Sequence, residues 1–373
     1  MSILHICCNL AGSTVFPQLF EALKAQGLDQ TVFVPEKREG DMGKNRPEGV
    51  DTHYALTVKR TDALFFFRKA QRSVPAIEKI ADMRSVSLVH AHTLFTDGSI
   101  ARSLHQKYGV PYVVTLRYSD MEAIWRYEPH LRPMARRILR DAARVVFLSG
   151  AARDKVLRTW LSAKDRALIE PKTAVIPNGI RPDWLDGTAR ETLHDPVRVG
   201  FAGRLNKRKR PLDALAAVHR ACNLGDTNYV MTACGSGELK DELIAAMRGG
   251  DSYVGQAQGM DEMKRFYAGC DVLLVPSSAE TFGMVYLEAM SQGVPVLYTR
   301  GQGFDGQFDE GEAGYSVICG DIAQQAEMIA KVTEDYEARS ARCIELAKGY
   351  AWPAVAKKWV KLYRTVLEPW IVD

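Results

Sequence analysis

The sequence contains no long uninterrupted apolar segment. No run approaches the roughly 18 consecutive apolar residues that a membrane-spanning helix requires. The opening stretch, MSILHICCNL, also lacks a basic region and a cleavage site, so we expect it to form a strand and not a signal peptide. These absences favour a cytoplasmic protein.

Cysteine is sparse and irregularly spaced. Seven cysteines occur in 373 residues, and apart from the adjacent Cys7 and Cys8 they are scattered. None of these spacings matches a zinc-ligand pattern, so we expect reduced thiols and no metal site.

Charge of one sign is not in large excess. The net charge is +4, and no nucleic-acid-binding motif accompanies it, which argues against a nucleic-acid partner. Apolar residues make up 46% of the chain and charged residues 25%, as in globular proteins. The length exceeds that of one ordinary domain, so we expect two.

Short apolar runs alternate with helical patterns along the whole chain. This alternation predicts parallel sheets covered by helices on both faces, and hence two tandem doubly wound, Rossmann-like α/β domains. The predicted strands are 3–8, 31–35, 86–92, 111–116, 144–149, 172–177, 197–203, 228–235, 252–256, 271–277, 294–299 and 314–318. Predicted helices between them include 211–223, 238–248, 260–269 and 283–292.

A segment rich in Pro, Gly, Asp and Arg (177–196) separates the two halves. We therefore predict an N-terminal domain over 1–185 and a C-terminal domain over 186–350. The tail, 351–373, reads as a helix with Trp352, Trp359 and Tyr363 at its apolar positions. These side chains need a surface to cover, and we expect the helix to pack back on the N-terminal domain.

Two glutamates flank a strand–loop–helix segment in the second half. In DVLLVPSSAETFGMVYLEAM, we expect the helix to begin near Thr281 or Phe282, with Thr281 as its cap. The start of this helix suits a phosphate. Glu280 precedes the helix and Glu288 lies about two turns inside it, and carboxylates of this kind accept hydrogen bonds from the diols of sugars. The alternative is a loop charge and a solvated helix face.

Cations follow another strand of the same half. In VGFAGRLNKRKRPLDALAAV, Arg204 and the run 207–210 stand between a strand and a helix, where they could hold a diphosphate. The alternative is a solvated basic turn. Gly235 and Gly237 in ACGSGEL form a further strand-to-helix turn that suits a nucleotide, although this pattern alone is weak.

The motifs GRLNKRKR, CGSGEL, ETFGMVYLEAM and GVPV occur in the order and spacing of the retaining glycosyltransferases of family 4. The chain resembles this family strongly over its C-terminal half and more weakly over its N-terminal half, through VHAH, VVTL, VVFLS and VIPNGI. The family mark of two glutamates separated by seven residues is matched by Glu280 and Glu288. The resemblance implies the GT-B architecture, with the donor on the C-terminal domain and the acceptor on the N-terminal domain.

The resemblance also implies site residues. Arg204 and Lys209 would bind the diphosphate of a UDP- or GDP-linked sugar, and Glu280 would contact the donor sugar beside the reacting centre. Glu288 would bind the ribose. The remaining implied donor contacts are Gly12, Gly235, Gly237, Phe282, Gly283 and Met284. No Asp-x-Asp pair, the metal–diphosphate motif of the other large glycosyltransferase fold, occurs in the chain, so we expect a metal-independent reaction and no cofactor.

The acceptor side is indicated less specifically. His90 and His92 share one strand face, and we favour His92 as an acceptor contact, with no third ligand spaced for a metal. Many family members have a histidine where this chain has Arg117. Arginine cannot act as a base at neutral pH, but it could bind an anion or face the acceptor together with Asp120.

Basic residues cluster in the N-terminal half. Arg132, Arg136, Arg140 and Arg144 repeat every four residues, which predicts a stripe on one helix face. Upstream, the basic residues of 58–72 interleave with the aromatic-rich stretch 64–67. Such segments suit an anionic membrane surface or a lipid diphosphate, and the alternative is a solvated face over core aromatics.

These observations predict a retaining glycosyltransferase that moves a sugar from a nucleotide-diphosphate donor to a glycan or lipid-linked acceptor in surface polysaccharide biosynthesis. We expect a cytoplasmic enzyme that can associate with the inner face of the membrane. A nucleotide-sugar epimerase of the same architecture is the alternative enzyme, and a nucleotide-binding protein without catalysis is a third hypothesis.

Overall fold

The chain folds into two α/β units, each built on one parallel sheet. The computed structural model describes residues 1–63, 66–117 and 119–368. The N-terminal unit contains Met1–Leu148 and Arg153–Gly179 together with the chain from Trp352 onward. The C-terminal unit contains Ile180–Ala351 and the short segment Ser149–Ala152.

The sheet of the N-terminal unit has seven parallel strands in the order β3-β2-β1-β4-β5-β6-β7. The strands are β1 Ser2–Ile6, β2 Asp29–Glu36, β3 Asp51–Leu56, β4 Leu88–Ala91, β5 Tyr112–Leu116, β6 Arg144–Phe147 and β7 Thr173–Val175. Every residue of the central strands β4 and β5 is buried, because helices cover both faces. These helices are α1 Val15–Ala25, α2 Phe67–Ile77, α3 Thr96–Tyr108, α4 Trp125–Tyr127, α5 Arg132–Asp141, α6 Gly150–Thr159 and α7 Ala163–Ile169.

The sheet of the C-terminal unit has six parallel strands in the order β10-β9-β8-β11-β12-β13. Its strands are β8 Val197–Ala202, β9 Tyr229–Cys234, β10 Ser252–Tyr253, β11 Val272–Val275, β12 Val296–Thr299 and β13 Gly314–Val317. Its helices are α8 Pro211–Ala221, α9 Lys240–Ala246, α10 Met260–Ala268, α11 Met284–Ser291, α12 Ile322–Val332 and α13 Tyr336–Lys348.

Local sequence explains several helix ends. Pro211 occupies the first position of α8, where its missing N–H costs nothing. The Asp321 side chain accepts a hydrogen bond of 3.0 Å from Gln324 N and so caps α12. Gly109 ends α3 in the left-handed conformation, with φ of 76°.

The C-terminal helix, α14 (Trp352–Leu367), completes the core of the N-terminal unit. Trp352, Trp359 and Tyr363 are buried in one cluster with residues of β1 and α1. Trp352 Nε1 also donates a hydrogen bond of 2.6 Å to Gln18 Oε1 of α1. The expectation that this helix packs on the N-terminal domain is therefore confirmed.

The predicted α/β class and the tandem doubly wound arrangement are also confirmed. Strand β3 was not predicted, because an edge strand with the sequence DTHYAL is only partly buried and has little apolar character. Strand β10 is shorter than predicted, since it contains only Ser252 and Tyr253. Within residues 1–63, 66–117 and 119–368, no helix is long and apolar enough to cross a bilayer.

Candidate active site

Each sheet reverses its direction of strand addition once, between β1 and β4 in one unit and between β8 and β11 in the other. In open parallel sheets, ligands bind beside the carboxyl ends of the strands at such a switch point. Apart from Gly12, which follows β1 in the N-terminal unit, the predicted donor-binding residues follow β8, β9 and β11 in the chain, so the topology gathers them at this end of the C-terminal sheet.

A buried ion pair joins the loops after β8 and β11. Lys209 Nζ donates a hydrogen bond to Glu280 Oε2, and the two side chains are only 11% and 14% exposed. The backbones of the loops are also linked, since Ser278 N donates to the Arg208 carbonyl at 2.8 Å. Arg208 Nη1 donates to the Ala279 carbonyl at 3.1 Å. The two loops therefore hold each other in place.

The cations after β8 differ in what they contact. Arg210 pairs with Asp213 at 2.5 Å, within the start of α8. Arg204 is exposed, and its guanidinium has no hydrogen-bond or ion-pair partner among the residues that the structure describes. Arg204 is thus available to a ligand at the carboxyl end of β8, whereas Arg210 is committed to its own helix.

The helix that follows Glu280 begins later than expected. α11 starts at Met284 with Gly283 as its N-cap residue, so the assignment of Thr281 as the cap was wrong. Gly283 has φ of 86°, and a Cβ there would lie 2.5 Å from the Tyr286 ring, so a side chain at this position is strained. Phe282 is buried with its ring 6.1 Å from that of Phe304.

Gln302, which the sequence analysis did not single out, supports Glu280 from a third loop. Glu280 N donates a hydrogen bond of 3.0 Å to Gln302 Oε1, and Gly303 N donates one of 2.8 Å to the Glu280 carbonyl. Both partners lie in the loop after β12. The Gly-x-Gly pattern at 301–303, directly after a predicted strand, could have indicated this loop in the sequence.

Glu288 lies just over one turn inside α11 and not two, because the helix starts at Met284. Tyr267 OH donates a hydrogen bond of 3.1 Å to Glu288 Oε2. Burial raises the pKa of Glu288 to about 7, although the Tyr267 hydrogen bond opposes the rise. A carboxyl group in this position changes its charge near neutral pH.

The glycines after β9 permit a close approach between loops. A Cβ on Gly235 would overlap the Gly203 carbonyl oxygen, so this position requires glycine. Leu205 N donates to the Ser236 carbonyl at 2.8 Å, and Leu239 N donates to the Leu205 carbonyl at 2.9 Å. The turn that contains Gly235 and Gly237 therefore packs directly on the loop that carries Arg204.

On the N-terminal unit, Gly12 ends a short 3-10 turn, Leu10–Gly12, after β1. Asn45 Nδ2 donates to the Ala11 carbonyl at 2.9 Å and so ties this turn to the loop after β2. The helix α1 starts at Val15, and Ser13 Oγ accepts a hydrogen bond of 3.3 Å from Val15 N. The turn lies at the carboxyl end of β1, beside the switch point.

The predicted acceptor residues Arg117 and Asp120 are positioned by backbone contacts. Asp120 is fully buried, and its carboxylate accepts from Arg117 N at 2.9 Å and from Phe95 N at 3.4 Å. Arg117 Nε donates to the His92 carbonyl at 3.1 Å, and its guanidinium lies 4.3 Å from the centroid of the Phe16 ring. Asp120 thus holds the backbone of the loop after β5 in place, and the Arg117 side chain packs against Phe16 of α1.

His92 belongs to a buried histidine cluster. His5 of β1 and His90 of β4 are paired in register, and the three side chains have no exposed surface. His92 Nε2 lies 3.1 Å from His5 Nδ1, while the two nitrogens of His90 bond to Tyr363 OH and Thr115 Oγ1. Burial lowers the pKa of all three imidazoles, that of His5 to about 3.

The prediction that no third metal ligand lies near His90 and His92 was wrong. His5 brings a nitrogen within 4.8 Å of theirs. Sequence spacing could not show this, because His5 is 85 residues before His90 and meets it only through pairing of β1 with β4. Asp97 was also not predicted as a site residue. Its carboxyl group is buried, and Oδ1 accepts a hydrogen bond of 3.0 Å from Cys8 N. Burial raises the pKa of Asp97 to about 7.

The predicted arginine stripe does not form as expected. Arg144 is the first residue of β6, so it is not on the helix α5 that carries the other three. Arg136 Nε donates to the Trp160 carbonyl at 3.3 Å, and Arg140 pairs with Asp165 at 2.5 Å. Arg132 Nε donates to the Trp125 carbonyl at 3.2 Å. These side chains are used to join α5 to its neighbours, and membrane binding through them stays a prediction.

Of the aromatic and basic segment upstream, Leu64, Phe65 and the side chain of Arg60 lie outside the described residues. Asp62 is fully buried and pairs with Arg72. Phe66 is buried, whereas 54% of Phe67 is exposed.

The fold and the paired loops define an α/β enzyme of GT-B architecture. The model for "Glycosyl transferases group 1" matches residues 189–349, and the model for "Glycosyl transferase 4-like domain" matches residues 11–179. The chain therefore belongs to the family 4 glycosyltransferases, and it is a transferase enzyme.

Characterised relatives agree with this assignment. The D-inositol 3-phosphate glycosyltransferase of Saccharomonospora viridis is 26% identical over 316 residues, which cover 75% of this chain and 70% of the relative. The alpha-maltose-1-phosphate synthase of Mycolicibacterium smegmatis is 25% identical over 374 residues, which cover 87% and 89%. Among solved structures, Anabaena HepE in complex with UDP superposes with a TM-score of 0.74 at 16% identity, covering 98% of this chain and 100% of HepE.

Proposed function

We infer that the protein is a retaining glycosyltransferase that moves a sugar from a UDP- or GDP-linked donor to a glycan or lipid-linked acceptor of surface polysaccharide biosynthesis. The observation that carries this proposal is the Lys209–Glu280 pair at the β8/β11 switch point, beside the unpartnered Arg204. HepE, which shares the fold, was solved with UDP, and the names of both relatives include a phosphorylated sugar or polyol.

In this proposal, different residues of the C-terminal unit bind different parts of the donor. Arg204 and Lys209 neutralise the diphosphate as it departs, and the N-terminus of α11 adds its partial positive charge. Glu280 accepts hydrogen bonds from the donor sugar. Glu288 accepts hydrogen bonds from the ribose hydroxyls, and Tyr267 holds its carboxyl group in place.

Retention of configuration calls for attack on the same face of the sugar from which the diphosphate leaves. The departing phosphate oxygen then takes the proton of the acceptor hydroxyl, and the bond between sugar and acceptor forms as the bond to phosphate breaks. Cationic side chains provide the charge neutralisation in this scheme, so the proposed reaction does not depend on a metal ion. No observation favours the epimerase, and the matched family models are those of transferases.

A donor panel tests the proposal. Purified protein is incubated with UDP- and GDP-linked hexoses, and release of the nucleoside diphosphate is followed with and without EDTA. We expect release from one donor, unaffected by EDTA, and an Arg204→Ala loss of about tenfold to a hundredfold, because one charge-assisted contact is worth about 1.5–3 kcal/mol. Lys240→Ala, on the exterior of α9, is the control. The absence of release and binding with every donor would refute the assignment.

The pKa of Glu288 predicts a pH-dependent affinity for nucleotide. Ribose hydroxyls donate to the ionised carboxylate, so binding of UDP or GDP should strengthen from pH 6 to pH 8, with a midpoint near the pKa of about 7. Tyr267→Phe removes a hydrogen bond that favours the ionised form, and it should move the midpoint to higher pH. Isothermal titration calorimetry measures both. Glu288→Gln should flatten the profile, and an unchanged profile in that variant would show that another group titrates.

A further inference from the structure

An apolar groove runs along the N-terminal unit between α2, α3 and α5. Its volume is about 680 Å³, which is within the range of small-molecule pockets. Ala70 and Val74 of α2 and Met134 and Ile138 of α5 provide much of its apolar lining. Phe67 also lines the groove, and more than half of its surface is exposed.

One end of the groove reaches the carboxyl edge of the sheet. Phe66 and Ser99 line this part of it. Lys69 Nζ lies 3.6 Å from the centroid of the Phe66 ring and donates to Thr96 Oγ1 at 3.2 Å. Ser99 Oγ donates to the Thr96 carbonyl at 2.8 Å, within the first turn of α3. Lys69 is not part of the groove lining, but its ammonium group contacts Phe66, which is, and Thr96 at the start of α3.

Lys69 has no carboxylate within 4.0 Å among the described residues. Two acids lie nearby: Asp62, which is bound by Arg72, and Asp97, whose carboxyl group accepts from Cys8 N. Burial lowers the pKa of Lys69, as expected for an ammonium group held without an ion partner in contact. Such a cation is stabilised when an anion binds to it.

The sides of the groove carry cations as well. Arg102 is paired with Asp141 at 2.6 Å and Lys107 with Glu78 at 2.7 Å. Arg137, which also lines the groove, is exposed and has no ion-pair partner in the described part of the chain. Arg137 thus adds an unpaired cation to an apolar groove, which favours an amphiphilic anion over a neutral sugar.

We propose that the acceptor is a phosphate-bearing lipid whose headgroup carries the hydroxyl that is glycosylated, with its hydrocarbon chain in the α2/α3/α5 groove and its phosphate on Lys69. The inference rests on the proposed function, since that function makes the N-terminal unit the acceptor side. A free sugar phosphate would leave the groove empty, and a neutral lipid would leave Lys69 without its anion.

Binding of farnesyl phosphate tests this inference without knowledge of the natural acceptor. The protein is titrated calorimetrically with farnesyl phosphate, farnesol and inorganic phosphate. We expect farnesyl phosphate to bind at least about tenfold more tightly than either of the others, because only it supplies both the apolar contact and the charge-assisted hydrogen bond.

Four variants separate the contributions. Lys69→Gln should weaken the binding of farnesyl phosphate by about tenfold or more and leave the affinity for farnesol unchanged. Met134→Trp, which fills the groove, should weaken the binding of farnesyl phosphate and the binding of farnesol to a similar degree. Gln71→Trp, at an exposed groove position, should have the same effect if Met134→Trp fails to fold. Gln106→Trp, exposed on α3 outside the groove lining, should bind as the wild type does.

Two results would overturn the proposal. One is that farnesyl phosphate binds no more tightly than inorganic phosphate, which would leave an ordinary phosphate contact. The other is that the groove-filling variants retain wild-type affinity, which would place the chain elsewhere. UDP and GDP binding is measured in parallel, since failure of nucleotide binding would refute the transferase proposal while the lipid titrations still report on the groove.

Discussion

Glu280→Gln should reduce transfer from the nucleotide-sugar donor by about a hundredfold to a thousandfold, the range seen when one group that stabilises a transition state is removed. The substitution keeps the size of the side chain and its hydrogen-bonding oxygen, but it removes the charge that pairs with Lys209. Steady-state rates under saturating donor measure the loss. The thermal midpoint should stay close to that of the wild type, because the loop is also held by Gln302 and Gly303.

A double-mutant cycle shows whether Lys209 and Glu280 act together. Lys209→Met leaves a partly buried carboxylate without its partner, so this variant should lose activity as well. Because the two side chains contact each other, the double variant Lys209→Met/Glu280→Gln should be no worse than the poorer single variant. Fully additive losses would mean that the two residues serve separate steps, and wild-type rates in both single variants would remove them from the site.

The N-terminal unit should lose stability steeply below about pH 6.5, the ordinary pKa of histidine. His5, His90 and His92 are buried in their neutral forms, with the pKa of His5 lowered to about 3. Between these values the unfolded chain binds protons that the folded state excludes, so stability rises with pH across this window and is lost as pH falls. The pKa shift of His5 alone corresponds to a loss on the order of 5 kcal/mol when the window has been crossed.

Urea unfolding at a series of pH values measures this effect. Tryptophan fluorescence is a suitable probe, since Trp125, Trp160, Trp352 and Trp359 belong to the N-terminal unit. The slope of stability against pH gives the number of protons taken up, and His5→Gln should reduce that number by about one. A wild-type slope of zero between pH 6.5 and 4.5 would contradict the assignment of neutral buried imidazoles.

The strands were well predicted because they are short apolar runs between helical patterns. Such runs are buried on both faces of a parallel sheet, so their composition carries the signal directly. β3 was missed because it lies at the sheet edge and mixes polar and apolar residues. The start of α11 was placed too early because the left-handed conformation of Gly283 delays the helix beyond Thr281.

The donor residues were predicted individually but not as contacts. Glu280, Arg204 and Lys209 stand out through their residue types next to strand ends, and Glu288 through its spacing from Glu280 in the family motif. The pairing of Lys209 with Glu280, and the support from Gln302, depend on loops that are far apart in the chain. The arginines of α5 show the reverse case, since their spacing suggested an open cationic face and the folded chain uses them in contacts with its own residues.

The sequence by itself determined the α/β class, the tandem sheets, the packing role of the C-terminal helix and the family, because each of these follows from local composition or from motif order. Only the tertiary structure decided which side chains meet. It brought His5 against His90 and His92, paired Glu280 with Lys209, and placed Lys69 against Phe66, which lines an apolar groove. Those contacts arise from strand order and from the close packing of loops, which spacing along the chain does not encode.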